Sequence, residues 1–124
     1  MIVKPTKPQD VEFTPPGVIQ VSASALKLAR EFQDTIRRTQ RGDWVVVFDW
    51  ATSVEVRREP GATPEPIPDC VMLGASERRH IPARAIHVAG GIEFAIQIPK
   101  AIWQSAVQRL IDTDPTLLFK LALR

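Results

Sequence analysis

The 124-residue sequence contains one cysteine, two histidines and no long apolar run. A single cysteine excludes an internal disulfide and is typical of a reducing compartment, so we expect a cytoplasmic protein. No apolar stretch approaches the ~18 residues that a membrane-spanning helix needs. The start, MIVKPTKPQD, lacks the apolar core of a signal peptide. We therefore expect no membrane partner.

The net charge is also small, although the sequence pI is about 9.0. The formal net charge at pH 7 is +2, with 16 basic and 14 acidic residues. A nucleic-acid-binding domain usually concentrates positive charge on one face. The composition therefore argues against a nucleic-acid partner.

Proline, in contrast, is abundant, and it divides the chain. Four of the 11 prolines lie in residues 1–16, and four more lie in PGATPEPIP at residues 60–68. Proline removes a backbone donor and forces the preceding residue toward extended geometry, so neither stretch suits a helix or a central strand. We predict a proline-rich leader over residues 1–16, a long loop over residues 59–69, and one domain over residues 17–124.

Hydrophobic periodicity predicts two helices within that domain. Residues 22–42 begin at Ser22 or Ser24 as N-cap and carry an apolar stripe at helical spacing. The second helix, residues 100–112, opens after Pro99, where a first turn tolerates proline. The stripe of the first helix consists of Ala25, Leu28, Ala29, Phe32 and Ile36.

Short apolar or alternating segments predict seven strands. The last of them, TLLFKLAL, is strongly apolar, so we expect it to pair inside the sheet. The order of elements favours an α+β domain, in which a small mixed or antiparallel sheet accompanies one long N-terminal and one short C-terminal helix. The predicted strands are residues 17–21, 44–50, 53–57, 70–73, 84–88, 92–98 and 116–123.

The two strands around Gly90-Gly91 form a hairpin with two conceivable registers. A two-residue loop places His87 opposite Phe94 and mixes polar and apolar groups on both faces. A three-residue loop that includes Ala89 places the apolar side chains on one face and the polar side chains on the other, so that His87 faces Glu93 on the polar face. Because burial of one face sets register, we predict the three-residue loop and a structural role for His87.

Arg78, Arg79, His80 and Arg84 form a basic loop (residues 78–84) just before this hairpin. Arginines in a loop can capture a phosphate or a carboxylate, which makes these four residues the candidate ligand-binding site. The alternative is a solvated loop. Glu77 and Cys70 are the only other candidate metal donors nearby, too few for a metal site.

The other candidate catalytic residues have weaker support. Asp49 interrupts WVVVFDW and faces away from the apolar side chains of that strand, where it is solvated or paired with an arginine. Cys70 enters an apolar run and is better explained as a small buried residue than as a nucleophile. Ser22 and Ser24 are better explained as caps. We therefore predict no catalytic residue.

Three segments resemble the HesB-like, A-type iron–sulfur carrier family. They are VIQVSASALKLAREF, AIHVAGGIEFAIQIPKAIWQSAV and LIDTDPTLLFKLALR, and together they span residues 18–124 in element order. The resemblance implies a compact, β-rich fold that assembles as a dimer or tetramer. The cysteine ligands of that family have no counterpart here, since the matching turn reads DWATSV and Cys70 matches no ligand position. We expect no cofactor, because thiolates hold such clusters.

The sequence thus predicts a non-enzymatic, HesB-like scaffold without metal chemistry. Its expected role is self-association, as a homodimer, or interaction with a protein partner. The alternative is a small anionic-ligand-binding protein or an enzyme that uses the basic loop. Convergence of the basic residues and Asp49 on one pocket would favour the alternative, and their dispersal would favour the interaction module.

Overall fold

A computed structural model describes residues 12–124, and within this range the chain is dominated by β-structure. Seven strands form one mixed sheet in the order β1-β8-β9-β5-β2-β7-β6, which curls into a half-barrel, while β3 and β4 form a separate two-stranded ribbon. In chain order the elements are β1 (Gln20–Val21), α1 (Ala23–Thr39), β2 (Trp44–Ala51), β3 (Glu55–Val56), β4 (Glu65–Pro66), β5 (Cys70–Glu77), β6 (His87–Ala89), β7 (Ile92–Gln97), α2 (Lys100–Ser105), β8 (Leu110–Thr113) and β9 (Leu121–Leu123).

Helix α1 starts where its sequence predicts and ends at Thr39, before the predicted end at Gly42. Ser22 is the N-cap, and its side-chain oxygen accepts a hydrogen bond from the backbone N–H of Ala25 at 3.1 Å. The cap satisfies one of the donors that a helix start leaves without an intrahelical partner. The small residues Ala25 and Ala29 are fully buried, so the helix approaches the sheet closely.

The central strand β2 divides the core into two layers. It pairs antiparallel with β5 and parallel with β7. Val46 and Phe48 point to the side covered by α1, which we call the helix face of the sheet. Val45 and Val47 point to the opposite side, the open face. Residues from outside the sheet also pack on the open face, namely Phe13, Ile81, Ala85 and Ile86.

The predicted fold class, a small HesB-like α+β domain, is wrong. The curled seven-stranded half-barrel is mostly sheet, and only one of the two helices in the described residues is long. Part of the error lies in residues 100–112, where helical spacing predicted one continuous helix. Helix α2 starts after Pro99 as predicted but ends at Ser105. Residues 110–113 form β8 instead, because there Ile111 is fully buried within the core.

Strand β9 lies inside the sheet between β8 and β5, which confirms the predicted placement of the C-terminal apolar segment. The strand is shorter than predicted, however, and covers residues 121–123. Residues 116–120 form a turn, in which Lys120 adopts a left-handed φ of 59°. Three apolar residues, Leu117, Leu118 and Phe119, thus lie in a turn and not in a strand.

The two proline-rich stretches differ in structure. Of the predicted leader, residues 1–11 lie outside the described residues, while Thr14 is buried and its backbone N–H donates to the Ile96 carbonyl at 2.7 Å. The packed part of the chain therefore includes residue 14. The predicted loop over residues 59–69 contains β4, which pairs with β3. Neither helix of residues 12–124 has the length and apolar character needed to cross a bilayer.

Candidate functional site

The basic loop is folded onto the open face of the sheet. It consists of two single-turn 3-10 helices, Arg78–His80 and Ala83–Ala85. Ile81 and Ala85 are buried against β2 residues of the open face. Because its apolar residues are inserted into the core, the backbone of this loop is held in place and its charged side chains are displayed around it.

Arg78 is engaged within the protein. Its guanidinium donates from Nη1 to Glu93 Oε2 at 3.0 Å, from Nη2 to Glu93 Oε1 at 2.8 Å, and from Nε to Asp43 Oδ2 at 2.7 Å. The two bonds to Glu93 form the bidentate geometry that arginine makes with carboxylates. Arg78 therefore connects the end of β5 with β7 and with the residue before β2.

The same contacts perturb the acid–base properties of the pair. The hydrogen bonds that Arg78 donates to Glu93, and then to Asp43, raise the pKa of Arg78 above its ordinary value. The hydrogen bond from Arg78 lowers the pKa of Glu93, and burial partly opposes that effect. Both shifts favour the charged forms, as expected for an ion pair with good hydrogen-bond geometry.

The other three predicted site residues have different surroundings. Arg79 donates a hydrogen bond from Nε to Oε2 of Glu77, the last residue of β5. Arg84 is exposed and lines a surface depression with Phe13 and the prolines near it. His80 lines a separate pocket on the open face. The four residues do not converge on one pocket, and two of the three arginines already bind carboxylates of this chain.

His87 does not face Glu93, so the predicted register of the hairpin is wrong. The paired residues are His87 with Phe94, Val88 with Glu93 and Ala89 with Ile92, which leaves a two-residue loop. Gly90 and Gly91 both have positive φ, 57° and 75°, the backbone of a tight hairpin turn. Strand β7 is buried on both faces: Phe94 packs on the helix face and Ala95 packs on the open face. The burial of one face therefore could not determine the register of the hairpin.

His87 instead stacks on Phe94, with ring centroids 5.0 Å apart and an interplanar angle of 22°. Its Nε2 is buried and has no hydrogen-bond partner among the residues that the structure describes. Burial lowers the pKa of His87 below 6.5, and a backbone hydrogen bond with Thr14 opposes that effect. A role as structural residue fits this environment better than a role as ligand.

The pocket beside His80, which we call the open-face pocket, has a volume of about 320 Å³. The central strands β2, β5 and β7 supply most of its lining. Asp49 and His80, both candidates from the sequence, do meet here, joined by residues that the sequence did not indicate. Those residues include Phe13, Gly74, Ser76 and Gln97.

Cys70 and the described acidic residues do not form a metal centre. Within residues 12–124 there is no group of three or more histidine, cysteine, aspartate or glutamate side chains placed to hold a metal ion. Cys70 is buried, in agreement with its predicted location. Burial, and secondarily the negative charge of Asp69, raise the pKa of its thiol. A protonated, buried thiol is a poor nucleophile.

A second concave region lies between the β3–β4 ribbon and the turn that precedes β9, and we call it the ribbon groove. Its volume is about 560 Å³. Leu118, one of its lining residues, is 54% exposed. Arg58 and Glu65 form an exposed ion pair at the groove, with 3.2 Å between Nε and Oε2. The apolar lining consists of Val56, Pro66, Ile67, Pro68, Leu117 and Leu118.

Sequence reasoning missed Glu93 and Asp43 as partners of Arg78, and it missed the ribbon groove. No local pattern pairs Arg78 with a residue 15 positions away, since the contact depends on the sheet register. The groove did have a signal. Asp114-Pro115 immediately precedes residues 116–119, and an Asp-Pro pair favours the start of a turn.

Comparisons of this chain with protein-family models, with curated proteins and with solved structures give no match. Its function is therefore inferred from the geometry of the described residues.

Proposed function

We propose that this protein is a non-enzymatic interaction module that forms a homodimer through the ribbon groove. The observation that carries the proposal is the apolar groove, whose lining includes the exposed side chain of Leu118. An exposed apolar side chain within a groove suits a two-fold contact, in which Leu118 of each copy packs in the groove of the other. At protein interfaces, a few buried side chains near the centre of the contact usually supply most of the affinity.

The charges at the groove also favour a second copy as the partner. Arg58 and Glu65 are 80% and 60% exposed, and the groove thus carries one cation and one anion. A two-fold axis through the groove would bring each charge near the opposite charge of the other copy. Such a surface is complementary to itself, whereas a partner of one charge sign would meet a like charge.

The short edge strands of the sheet support the groove over edge-to-edge pairing as the mode of association. Edge strand β1 covers two residues and edge strand β6 covers three. Short edges offer few backbone groups to another chain, which is a common protection against strand addition. We therefore place the contact at the apolar side chains of the groove.

The structure gives less support to an anion-binding role for the basic loop. Glu93, Asp43 and Glu77 compensate two of its arginines, so a phosphate or carboxylate ligand would have to displace these partners. The same compensation supports the absence of a nucleic-acid partner. We further propose that the protein acts in the cytoplasm, since a chain with a single cysteine cannot form an internal disulfide, which is typical of a reducing compartment.

Light scattering after size-exclusion chromatography tests the dimer. At high micromolar concentration the wild-type chain should have a mass twice the 13.8 kDa of the monomer. Leu118→Asp should yield monomers, because a carboxylate cannot be buried in the apolar groove without a partner. Val107→Asp is the matched control, since Val107 is fully exposed away from the groove, and it should remain dimeric. A monomeric wild type, or equal masses for the two variants, would disprove the proposal.

A charge-swap pair tests the orientation. Arg58→Glu makes both groove charges negative, and Glu65→Arg makes both positive. Each variant alone should dimerise more weakly than wild type, whereas an equimolar mixture should form heterodimers preferentially. If the mixture associates no better than either variant alone, Arg58 and Glu65 do not face each other across the interface.

A further inference from the structure

The surface depression beside Arg84, which we call the proline depression, is separate from the ribbon groove. Its volume is about 430 Å³, which is within the range of small-molecule sites. Apolar residues supply most of its described lining, and Arg84 and Glu12 add one charge of each sign. From this lining, we infer that the depression binds a small aromatic carboxylate, with the carboxylate on Arg84 and the ring among the apolar residues. The apolar lining consists of Phe13, Pro15, Pro16, Pro82 and Ala85.

The charge of Arg84 is available to a ligand. Arg78 and Arg79 form ion pairs with carboxylates of this chain. Arg84 is exposed and forms no ion pair with a carboxylate of residues 12–124. An anion that binds Arg84 therefore has no carboxylate partner to displace. The planar guanidinium suits a carboxylate in particular, because two parallel N–H groups can donate to its two oxygens.

Buried residues hold both walls of the proline depression in place. One wall is the segment around Thr14, which is buried and whose backbone N–H donates to the Ile96 carbonyl at 2.7 Å. The other wall is the single-turn 3-10 helix Ala83–Ala85, whose last residue is buried in the open-face layer of the core. A site that is formed before binding loses less conformational entropy when the ligand arrives.

The side chains of the lining favour an aromatic ring over an alkyl chain. Phe13 contributes its own ring, and aromatic rings attract one another in edge-to-face or offset stacked geometry. The guanidinium of Arg84 can also stack on the face of a ring. An aromatic acid therefore uses both the charge and the planar surface of this arginine, whereas an aliphatic acid uses the charge alone.

Glu12 limits the charge of the ligand. It lines the same depression as Arg84, so its carboxylate repels any anion that binds there. The repulsion grows in proportion to the charge of the ligand. A phosphate monoester carries ~1.5–2 negative charges near pH 7, and a carboxylate carries one. A carboxylate therefore suits the depression better than a phosphate.

The binding test uses nitrogen-15 NMR spectra of the full chain, titrated with phenylacetate. This acid should shift the amide signals of Phe13, Arg84 and Ala85. Three related compounds test the parts of the inference: phenethylamine has the opposite charge, acetate lacks the ring, and phenyl phosphate has the higher charge. All three should bind more weakly than phenylacetate, and phenethylamine should leave these amides in place.

Variants of the two charged residues test their roles. Arg84→Gln should weaken the binding of phenylacetate roughly tenfold, since the charge-assisted hydrogen bonds are lost. Arg84→Lys should have an intermediate affinity, because lysine keeps the charge but not the planar fork. Glu12→Gln should raise the affinity for phenyl phosphate more than that for phenylacetate. Arg38→Gln is the matched control, since Arg38 is exposed on α1 outside the depression, and it should bind as wild type does.

An aromatic carboxylate can be a free acid or the end of a peptide whose last residue is aromatic. Acetylphenylalanine, which has a peptide bond beside its carboxylate, distinguishes the two sources: it should bind more tightly than phenylacetate if peptide ends are the ligand, and more weakly if free acids are. The inference is overturned if phenethylamine shifts the same amides, or if Arg84→Gln binds phenylacetate as tightly as wild type. It is also overturned if these amides do not move at tens of millimolar phenylacetate. A loss of the dimer in Leu118→Asp leaves this test unaffected, because the depression and the ribbon groove share no described lining residue.

Discussion

The ring of Phe48 on β2 meets the ring of Phe94 on β7 edge-on, with centroids 5.4 Å apart and an interplanar angle of 89°. This contact lies on the helix face, at the centre of the larger apolar cluster. Edge-to-face pairs add ~0.5–1.5 kcal/mol to the stabilisation that comes from burial alone. The parallel pairing of β2 with β7 is therefore reinforced by their side chains.

Truncation of Phe48 should be severely destabilising. Phe48 is fully buried, so Phe48→Ala removes a ring from the core and leaves a cavity, at a cost of ~3–5 kcal/mol in the free energy of unfolding. Urea denaturation monitored by tryptophan fluorescence measures this. Val107→Ala, at a fully exposed position, should change stability by less than ~0.5 kcal/mol. A small effect of Phe48→Ala would mean that the described packing on the helix face is incorrect.

Replacement of Arg78 by lysine should lower the melting temperature more than the same change at Arg79. Lysine keeps the charge but cannot reproduce the bidentate contact with Glu93 together with the bond to Asp43. Arg79 makes one side-chain bond, to Glu77, at an exposed position. Differential scanning calorimetry of Arg78→Lys and Arg79→Lys compares the two. Equal melting temperatures would show that the Arg78 contacts do not stabilise the fold.

Stability should decrease when the pH falls below 6.5, because of His87. Burial holds the pKa of His87 in the folded protein below its ordinary value of 6.5. Well above pH 6.5 the imidazole is neutral in both the folded and the unfolded protein, and its full contribution to the free energy of unfolding is present. As the pH falls, the unfolded chain binds a proton more readily, so the contribution is lost down to the pKa of the folded state. The slope for one group cannot exceed about 1.4 kcal/mol per pH unit, and half-burial reduces it.

Urea denaturation between pH 5 and pH 8 measures this slope. His87→Phe should flatten it, since phenylalanine keeps the stacked ring but does not titrate. The carboxylates with lowered pKa values, Glu93, Asp112 and Asp114, have ordinary values of 4.5, 3.8 and 3.8, and they affect stability at lower pH. A wild-type slope that persists in His87→Phe would contradict the assignment.

The thiol of Cys70 should resist modification while the protein is folded. Its exposure is 1%, and its pKa is raised by burial, so both access and thiolate fraction are low. Ellman's reagent should react with less than one thiol per chain in buffer within minutes, and with one thiol per chain in denaturant. Ala51 is paired with Cys70 in the β2–β5 register, and Ala51→Ser is the control variant. It should leave the reactivity of Cys70 unchanged if the strand remains folded.

Local patterns in the sequence predict those elements whose stability is local. The stripe and cap of α1, the two faces of WVVVFDW and the start of α2 at Pro99 depend on neighbouring residues, and the structure confirms them. The limits of β8 depend on distant partners. Residues 110–113 have apolar spacing compatible with a helix, and pairing with β1 and β9 makes them a strand. Tertiary context overrides propensity in such short segments.

The candidate site could be predicted only in part, because its contacts also depend on residues that are distant along the chain. Arg78 and His80 can be identified from sequence as loop residues, but their partners come from β2 and β7, which are remote along the chain. Asp49 and His80 meet because β2 and β5 pair in one particular register. A one-residue shift would place Asp49 on the helix face. Register is a property of the whole sheet, and no local pattern in residues 44–51 determines it.

The seven-stranded sheet contains a weak seam between β5 and β9. Val71 and Leu121 are the register pair that these two strands share, whereas β2 and β5 pair along eight residues. The sheet therefore consists of one group of strands formed by β1, β8 and β9 and a second formed by β5, β2, β7 and β6. Helix α1 contacts strands of both groups, β8 on one side and β2 and β5 on the other. Because α1 packs on strands from both sides of the seam, we expect the helix to hold the two groups together more than the strand pairing at the seam does.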